Sequence, residues 1–405
     1  KYPDDLDGLI LLAEARYKLK DYDEANMIFC QVIEKDPERA LSYTKYYKML
    51  ISEGSLSVLE SSLKTLIDGQ PNIITDQISL IQANLVSLTS GPDAALKILS
   101  DIHETRPGSE QISKHRRTTM LGTGYFDQGW QALSGEPARL TKIAQLPHRV
   151  WLGEDCAEKT VLIRGSEGIG EQLMYSQLFD HVQQRCRHLI VECDFRLVKI
   201  FERTFPEIEF VSWLAPPTNR LLQNDIDIQT LPRDIAKFFL HDIGDIRGVT
   251  KNLVPPEKGR AIADRLRAQY PGKLLVGISW RSSGTGIAEK TIPLTSWTEI
   301  LTQEKVQFVN LQYGSAESEI ELIKEKSNVD IVTPPDLDVT NDLDELMGLI
   351  SGLDLVITVS NVTAHYAGNV GTPAWVLISK LPMWHWFQQR NDSPWYPAAK
   401  LYRQK

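Results

Sequence analysis

Three short stretches of this chain combine glycines, charges and hydroxyls at spacings that chemistry could use. The first, Arg164-Gly-Ser-Glu-Gly-Ile-Gly-Glu-Gln-Leu173, is a glycine-rich turn opening a helix. Gly165, Gly168 and Gly170 let a backbone approach a ligand closely, and the helix start offers unpaired N–H groups. Glu171 falls in the first turn of that helix. A carboxylate there either complements the helix dipole or serves as general base for an acceptor hydroxyl, with Glu167 as the rival base. A dinucleotide fingerprint would require a small residue where Leu173 stands, so a nicotinamide-dependent dehydrogenase ranks last among the readings.

The second stretch follows the apolar run Leu274–Trp280. Arg281-Ser-Ser-Gly-Thr-Gly286 and then Lys290 supply a forked donor, a small-residue loop and a point charge, a set that suits a diphosphate and would equally suit a surface loop. The third is Ser360-Asn-Val-Thr-Ala-His365, between an apolar run and a helical segment. Asn361 and Thr363 either cap that helix or join its N–H groups on a phosphate, and His365 is either their neighbour at the ligand or an interior histidine.

These stretches need elements to hold them. From Thr160 onward, apolar runs of a few residues alternate with polar-faced helical segments, the pattern of parallel sheets covered by helices. Strands are expected at 160–164, 188–192 and 210–213, then, past Pro255-Pro256, at 274–280, 306–311, 354–359 and 374–378. Helices fit 171–185, 196–204, 257–269, 317–326, 342–352 and 362–369. Two such halves would leave a cleft lined by strand carboxyl ends.

The N-terminal part reads differently. Leu9, Leu12, Ala13, Tyr22, Ala25 and Phe29 with Asp36-Pro37 occupy the large and small apolar positions of a tetratricopeptide (TPR) unit. About 34 residues further on come Tyr43, Tyr46, Tyr47, Leu50, Gly54, Leu59, Leu63, Leu66 and Pro71. A looser third unit runs through Leu80, Ile81, Ala95, Ile98 and Leu99 to Pro107. Stacked units would form a concave surface for a peptide or partner protein, or would simply prop up the next domain. The expected domains are repeats at 1–107, a helical connector at 108–150, one Rossmann-like half at 151–255 and a second at 256–405.

Composition narrows the function classes. The 405 residues are 42% hydrophobic and 24% charged, as in ordinary globular chains of two to three domains. A net charge of −9 disfavours general nucleic-acid binding. Cys30, Cys156, Cys186 and Cys193 form no metal-ligand spacing, and no apolar run is long enough for a membrane span. The first residues do not read as a signal sequence, and a cytoplasmic location is expected.

Gly168–Met174, Val276–Arg281, Phe308–Gly314, Ser360–Gly368, Trp384 and Asp392-Ser-Pro-Trp-Tyr-Pro397 together resemble the TPR-containing glycosyltransferases related to the heptosyltransferase family. The resemblance implies the paired Rossmann-like fold called GT-B, and transfer of a sugar from a nucleotide-sugar donor held mainly by the second half. It implies a carboxylate base at Glu171, where the family usually has Asp, beside the glycine turn of Gly168 and Gly170. The donor region would map onto Arg281, Lys290, Asn361, Thr363 and His365, with Gln312 and Tyr313 where the nucleotide commonly rests. TPR-fused members are similar to enzymes proposed to glycosylate flagellins, which points to a Ser or Thr hydroxyl of a protein gripped by the repeats. The expected reaction is inverting, with no cofactor and no metal, although Asp336 and Asp338 leave acidic residues in the second half. The alternative is a non-catalytic TPR scaffold whose degenerate transferase half binds a partner protein or nucleotide.

Overall fold

The computed structural model describes residues 5–36, 47, 50–51, 54–69, 75–133, 141–248, 251–282 and 290–404. Of the residues singled out above, Pro37, Tyr43, Tyr46, Pro71 and positions 283–289 of the small-residue loop lie outside these. The chain divides into two compact units, one of Lys1–Thr123 with Lys380–Trp384 and Lys405, the other of Gly124–Ser379 with His385–Gln404.

The first unit is helical among its described residues. Its helices are α1 (Leu6–Lys18), α2 (Tyr22–Lys35), α3 (Leu56–Gly69), α4 (Asp76–Ser90), α5 (Pro92–Thr105) and α6 (Glu110–Thr123). Ala13 and Ala25 are fully buried where α1 and α2 pack, and Tyr17, Phe29, Leu50, Leu59, Leu63 and Ile81 join them in one apolar core. Small side chains at these positions let paired helices approach closely. Thr75 caps α4 by accepting from the Ile78 N–H at 3.4 Å. Gly91, at φ +93°, then breaks the chain before Pro92 starts α5 at a position where its missing N–H costs nothing.

The second unit holds two all-parallel sheets. After α7 (Phe126–Leu133), the first sheet contains β1 (Arg149–Val150), β2 (Cys156–Ile163), β3 (Cys186–Cys193), β4 (Glu209–Ser212) and β5 (Ile228–Thr230), in the order β1-β5-β2-β3-β4. Its helices are α8 (Ile169–Tyr175), α9 (Phe179–Gln183), α10 (Val198–Thr204), α11 (Pro232–Phe239) and α12 (Ile243–Gly248). α13 (Glu257–Gln269) leads into the second sheet, β11-β10-β9-β6-β7-β8. Its strands are β6 (Leu274–Ser279), β7 (Val306–Asn310), β8 (Ile331–Val332), β9 (Leu355–Val359), β10 (Ala374–Ile378) and β11 (Ala399–Arg403). The intervening helices are α14 (Thr298–Leu301), α15 (Glu317–Ser327), α16 (Leu343–Ser351) and α17 (Val362–Val370).

Central strands are covered on both faces and therefore read as unbroken apolar runs, as in Val161-Leu-Ile163 and Leu189-Ile-Val191. Elements that the sequence pattern did not announce have physical reasons for hiding. β5 is three residues long with Gln229 at its centre. That buried amide donates to the carbonyls of Ile143 (3.1 Å), Leu146 (3.2 Å) and His148 (2.7 Å) instead of packing as a hydrophobe. β11 is an edge strand of alternating exposure. The helix expected over 171–185 is two, α8 and α9, separated by a 3₁₀ turn at Ser176–Leu178.

Parallel pairing brings the strand carboxyl ends of each sheet to one edge. In the first sheet that edge carries Arg164, Glu192 and Trp213, and in the second Arg281, Gln312 and Asn361.

Candidate functional site

The glycine turn starts from a buried ion pair. Arg164 and Glu192, at the ends of β2 and β3, have no exposed side-chain surface and meet at 3.0 Å. The same Glu192 oxygen accepts the Gly165 N–H at 2.9 Å. A β-carbon on Gly165 would lie 3.1 Å from both the Glu192 carbonyl and the Trp213 ring, so the turn needs glycine there to lie flat on the sheet end. Gln172 then fixes the far side, donating to the Glu167 carbonyl at 2.7 Å and accepting the Asp194 N–H at 2.9 Å.

Two carboxylates stand in this turn with different partners. Glu167 is buried and gripped by Arg233 of α11, whose Nε lies 2.6 Å from one oxygen and Nη2 2.5 Å from the other. Glu171 lies in the first turn of α8, partly buried and four residues beyond Glu167. Burial and then the negative field of Glu167 push its carboxyl up to about 7, against the pull of Arg233. Near neutral pH Glu171 is thus divided between its acid and base forms, a stronger base than an ordinary carboxylate.

In the second half, α17 begins at Asn361. Its Oδ1 accepts the Thr363 N–H at 2.9 Å, and its Nδ2 donates to Ser279 Oγ (2.8 Å) and the Arg281 carbonyl (3.0 Å). Gln312 ties the ends of β6 and β7 in the same manner, its Oε1 accepting the Trp280 and Arg281 N–H groups at 2.9 Å each. Both side chains are engaged in the scaffold. Arg281 pairs with Glu319 at 2.8 Å and donates to the Ser315 carbonyl. Tyr313, half-buried beyond β7, accepts from Gln312 Nε2 through its carbonyl at 3.0 Å. The Thr363 hydroxyl differs from these: it is buried on the second residue of α17 and has no hydrogen-bond partner.

The two halves meet at Gly170. A β-carbon there would lie 2.8 Å from Cδ2 and 3.2 Å from Nε2 of His365, so α8 and α17 touch through a bare backbone on one side and an imidazole edge on the other. His365 is buried, and burial and then Lys290 push its pKa down to about 4, leaving the ring neutral at pH 7. Its Nδ1 lies 2.7 Å from the Tyr396 hydroxyl, which itself accepts from Asn369 Nδ2 at 3.4 Å. Because the Tyr396 oxygen already accepts from Asn369, its own O–H is directed at Nδ1 as donor, which places the ring proton of the neutral imidazole on Nε2, facing Gly170. Gln177 of the 3₁₀ turn donates to Asn369 at 2.5 Å, a second tie between the halves. The charge of Lys290 also lowers the His385 pKa, after burial and His365.

The structure therefore gathers Gly168, Gly170, Glu171, Thr363 and His365 around the contact of α8 with α17, with Asn361, Gln312 and Arg281 bracing the second sheet's edge, while Lys290 acts on His365 through its charge. Sequence reasoning missed Arg233 and Asn369, because a side chain that arrives from a distant helix leaves no spacing signal. Tyr396 lay inside the Asp392–Pro397 stretch without an assigned role. Asp338 accepts from the Thr340 and Asn341 N–H groups at 2.9 and 3.1 Å and so shapes its own turn. Among the described residues no cluster of three or more His, Cys, Asp or Glu is arranged to hold a metal ion, and no helix is long and apolar enough to cross a membrane.

No family model matches the chain. The protein FlbA of Caulobacter vibrioides is similar to it, with 26% identity over 428 residues spanning 99% of this chain and 70% of FlbA. Among solved structures, a family 9 glycosyl transferase from Veillonella parvula is similar at 12% identity, covering 62% of this chain and 87% of that one with a TM-score of 0.45. The ADP-heptose LPS heptosyltransferase II of E. coli is similar at 15% identity, covering 61% of this chain and 91% of that one with a TM-score of 0.44.

Proposed function

We propose that the chain is a GT-B glycosyltransferase that moves a sugar from a nucleotide-sugar donor to a hydroxyl acceptor with inversion. One observation carries the reading: a carboxylate poised between its acid and base forms opens α8, and it stands beside the start of α17, where a buried threonine hydroxyl lacks a partner. A helix start with an unsatisfied hydroxyl and a nearby lysine suits a diphosphate.

In this mechanism the acceptor oxygen attacks the anomeric carbon while its proton passes to Glu171. The bond from that carbon to the phosphate oxygen breaks, and the electron pair leaves on the nucleoside diphosphate. Lys290, the Thr363 hydroxyl and the positive end of the α17 dipole stabilise the charge that develops there, so the proposed reaction calls for no divalent metal. The neutral Nε2–H of His365 faces the glycine turn and offers a further donor without adding charge. The helices of the first unit, read as TPR repeats, would hold a protein acceptor such as flagellin through a Ser or Thr. The resemblance of Gly168–Met174 and Ser360–Gly368 to the heptosyltransferase-related family supports the same chemistry.

The test is donor turnover. Purified protein is challenged with UDP-, GDP- and ADP-sugars, first by thermal shift and then for release of the nucleoside diphosphate in the presence of flagellin. Stabilisation by one nucleotide class, with release that Glu171→Gln lowers by about 10²–10⁴, is expected. A second reading, the non-catalytic scaffold, draws on the engagement of Arg281 with Glu319. It requires that no donor be turned over.

A further inference from the structure

Behind the contact of α8 with α17, a row of buried amides runs out to the linker that precedes Pro255-Pro256. Gln177, in the 3₁₀ turn after α8, accepts the Lys251 N–H through Oε1 at 2.5 Å and donates from Nε2 to Asn369 Oδ1 at 2.5 Å. Asn369, fully buried on α17, donates from Nδ2 to the His365 carbonyl at 2.9 Å and to the Tyr396 hydroxyl at 3.4 Å. Its own carbonyl accepts the Leu253 N–H at 2.7 Å. Two of these partners admit only one role, because a backbone N–H must donate and a backbone carbonyl must accept. Lys251 therefore turns the Gln177 oxygen toward the linker, and the His365 carbonyl turns the Asn369 nitrogen toward itself. The two anchors sit at opposite ends of the amide pair and give the bond between the amides the same direction.

We propose that Asn369 is a positioning residue that decides which nitrogen of His365 carries the proton: held from both ends, its amide donates to Tyr396, whose O–H then points at Nδ1, 2.7 Å away, and leaves Nε2–H directed at Gly170. This deepens the glycosyltransferase reading and rests on it for the use of that N–H, as a fixed hydrogen-bond donor to bound substrate. Burial and then Lys290 push the His365 pKa down to about 4, so at pH 7 one ring nitrogen donates and the other accepts. The direction is inherited from the backbone of the linker and of α17, and no charged group has to supply it.

The test reads the ring ¹⁵N shifts of His365 at pH 7 in the labelled full chain, which needs no turnover. The parent should show the Nε2–H form. Asn369→Ala opens a polar space bounded by Gln177 Nε2, the His365 carbonyl and the Tyr396 hydroxyl, enough partners for one water. Water can donate or accept, so Tyr396 is released and a measurable share of the Nδ1–H form should appear. Asn369→Ser should act likewise, its hydroxyl taking either role, and it decides the matter if circular dichroism shows that Asn369→Ala does not fold. Gln177→Met is the control: it cuts the row but leaves Asn369 Nδ2 on the His365 carbonyl, so the parent tautomer should persist. An unchanged ring in both Asn369 variants overturns the inference, and so does an equal shift in Gln177→Met, which would make packing the cause. In the flagellin assay Asn369→Ala should lower kcat by about 2- to 10-fold, the worth of one hydrogen bond. A tautomer shift with kcat intact would take Nε2–H out of the reaction. The glycosyltransferase reading fails separately, if the parent turns over no donor, and the nitrogen shifts then still decide the role of Asn369.

Discussion

Gly170 and His365 meet so closely that a single methyl group would force them apart, with Cδ2 only 2.8 Å from where the β-carbon would lie. His365 cannot yield easily, being tied through Nδ1 to Tyr396 and through its carbonyl to Asn369 at 2.9 Å. The contact therefore sets the distance between the base-bearing turn and the start of α17. Gly170→Ala should lower stability by about 1–3 kcal/mol and reduce transfer more than donor binding. Calorimetric unfolding together with a rate and affinity comparison checks this. An unchanged melting temperature with full activity would show that the contact is slack.

Glu171 also has a stability signature of definite sign. Its carboxyl titrates at about 7 in the folded chain, above the ordinary carboxylate value near 4.3 of the unfolded one. Between those pH values the folded chain binds more protons than the unfolded chain, so stability falls as pH rises through the window. Glutamine does not titrate. The melting temperature of Glu171→Gln should therefore gain on that of the parent between about pH 4.3 and pH 7 and keep that lead at pH 8. Parallel unfolding curves for the two proteins at pH 4.5 and pH 8 would contradict the raised carboxyl.

The sequence made the central strands and the three chemistry-bearing stretches legible because each depends on local pattern. Buried strands are apolar runs, and the glycine turn that leads to Glu171, the loop of Arg281 and the cap at Asn361 each come just after one. What it could not convey was pairing at a distance. Arg233 reaches Glu167 from another helix, and it is this contact, absent from any spacing, that separates the rival carboxylates. Nor could composition tell that Asn361 and Gln312 bond the backbone of their own sheet end while the side-chain hydroxyl of Thr363, two residues beyond Asn361, has no partner. These outcomes depend on rotamers and neighbours within one crowded corner.

The tautomer of His365 gives a further prediction. Tyr396 donates to Nδ1, so the proton on the neutral ring sits on Nε2, facing Gly170. Nitrogen chemical shifts of the labelled protein should report that form at pH 7 and show no imidazolium until the pH approaches about 4. Tyr396→Phe removes the donor and should allow the Nδ1–H form to appear. An Nδ1–H ring in the parent protein would reverse the hydrogen-bond direction argued here.

Thr363 separates binding from stability. Its buried hydroxyl makes no hydrogen bond, and leaving such a group unsatisfied costs about 1–3 kcal/mol. Thr363→Val keeps the shape and removes that cost, so the unliganded protein should be as stable as the parent or more so. A diphosphate at the start of α17 would satisfy the hydroxyl, and losing that bond should weaken nucleotide affinity by about 5- to 150-fold, the equivalent of the same 1–3 kcal/mol. Calorimetric titration with the preferred nucleoside diphosphate, alongside thermal unfolding without it, reads both arms. Equal affinity in the two proteins would remove Thr363 from the donor site, whereas a destabilised free protein would mean that its hydroxyl already has a partner.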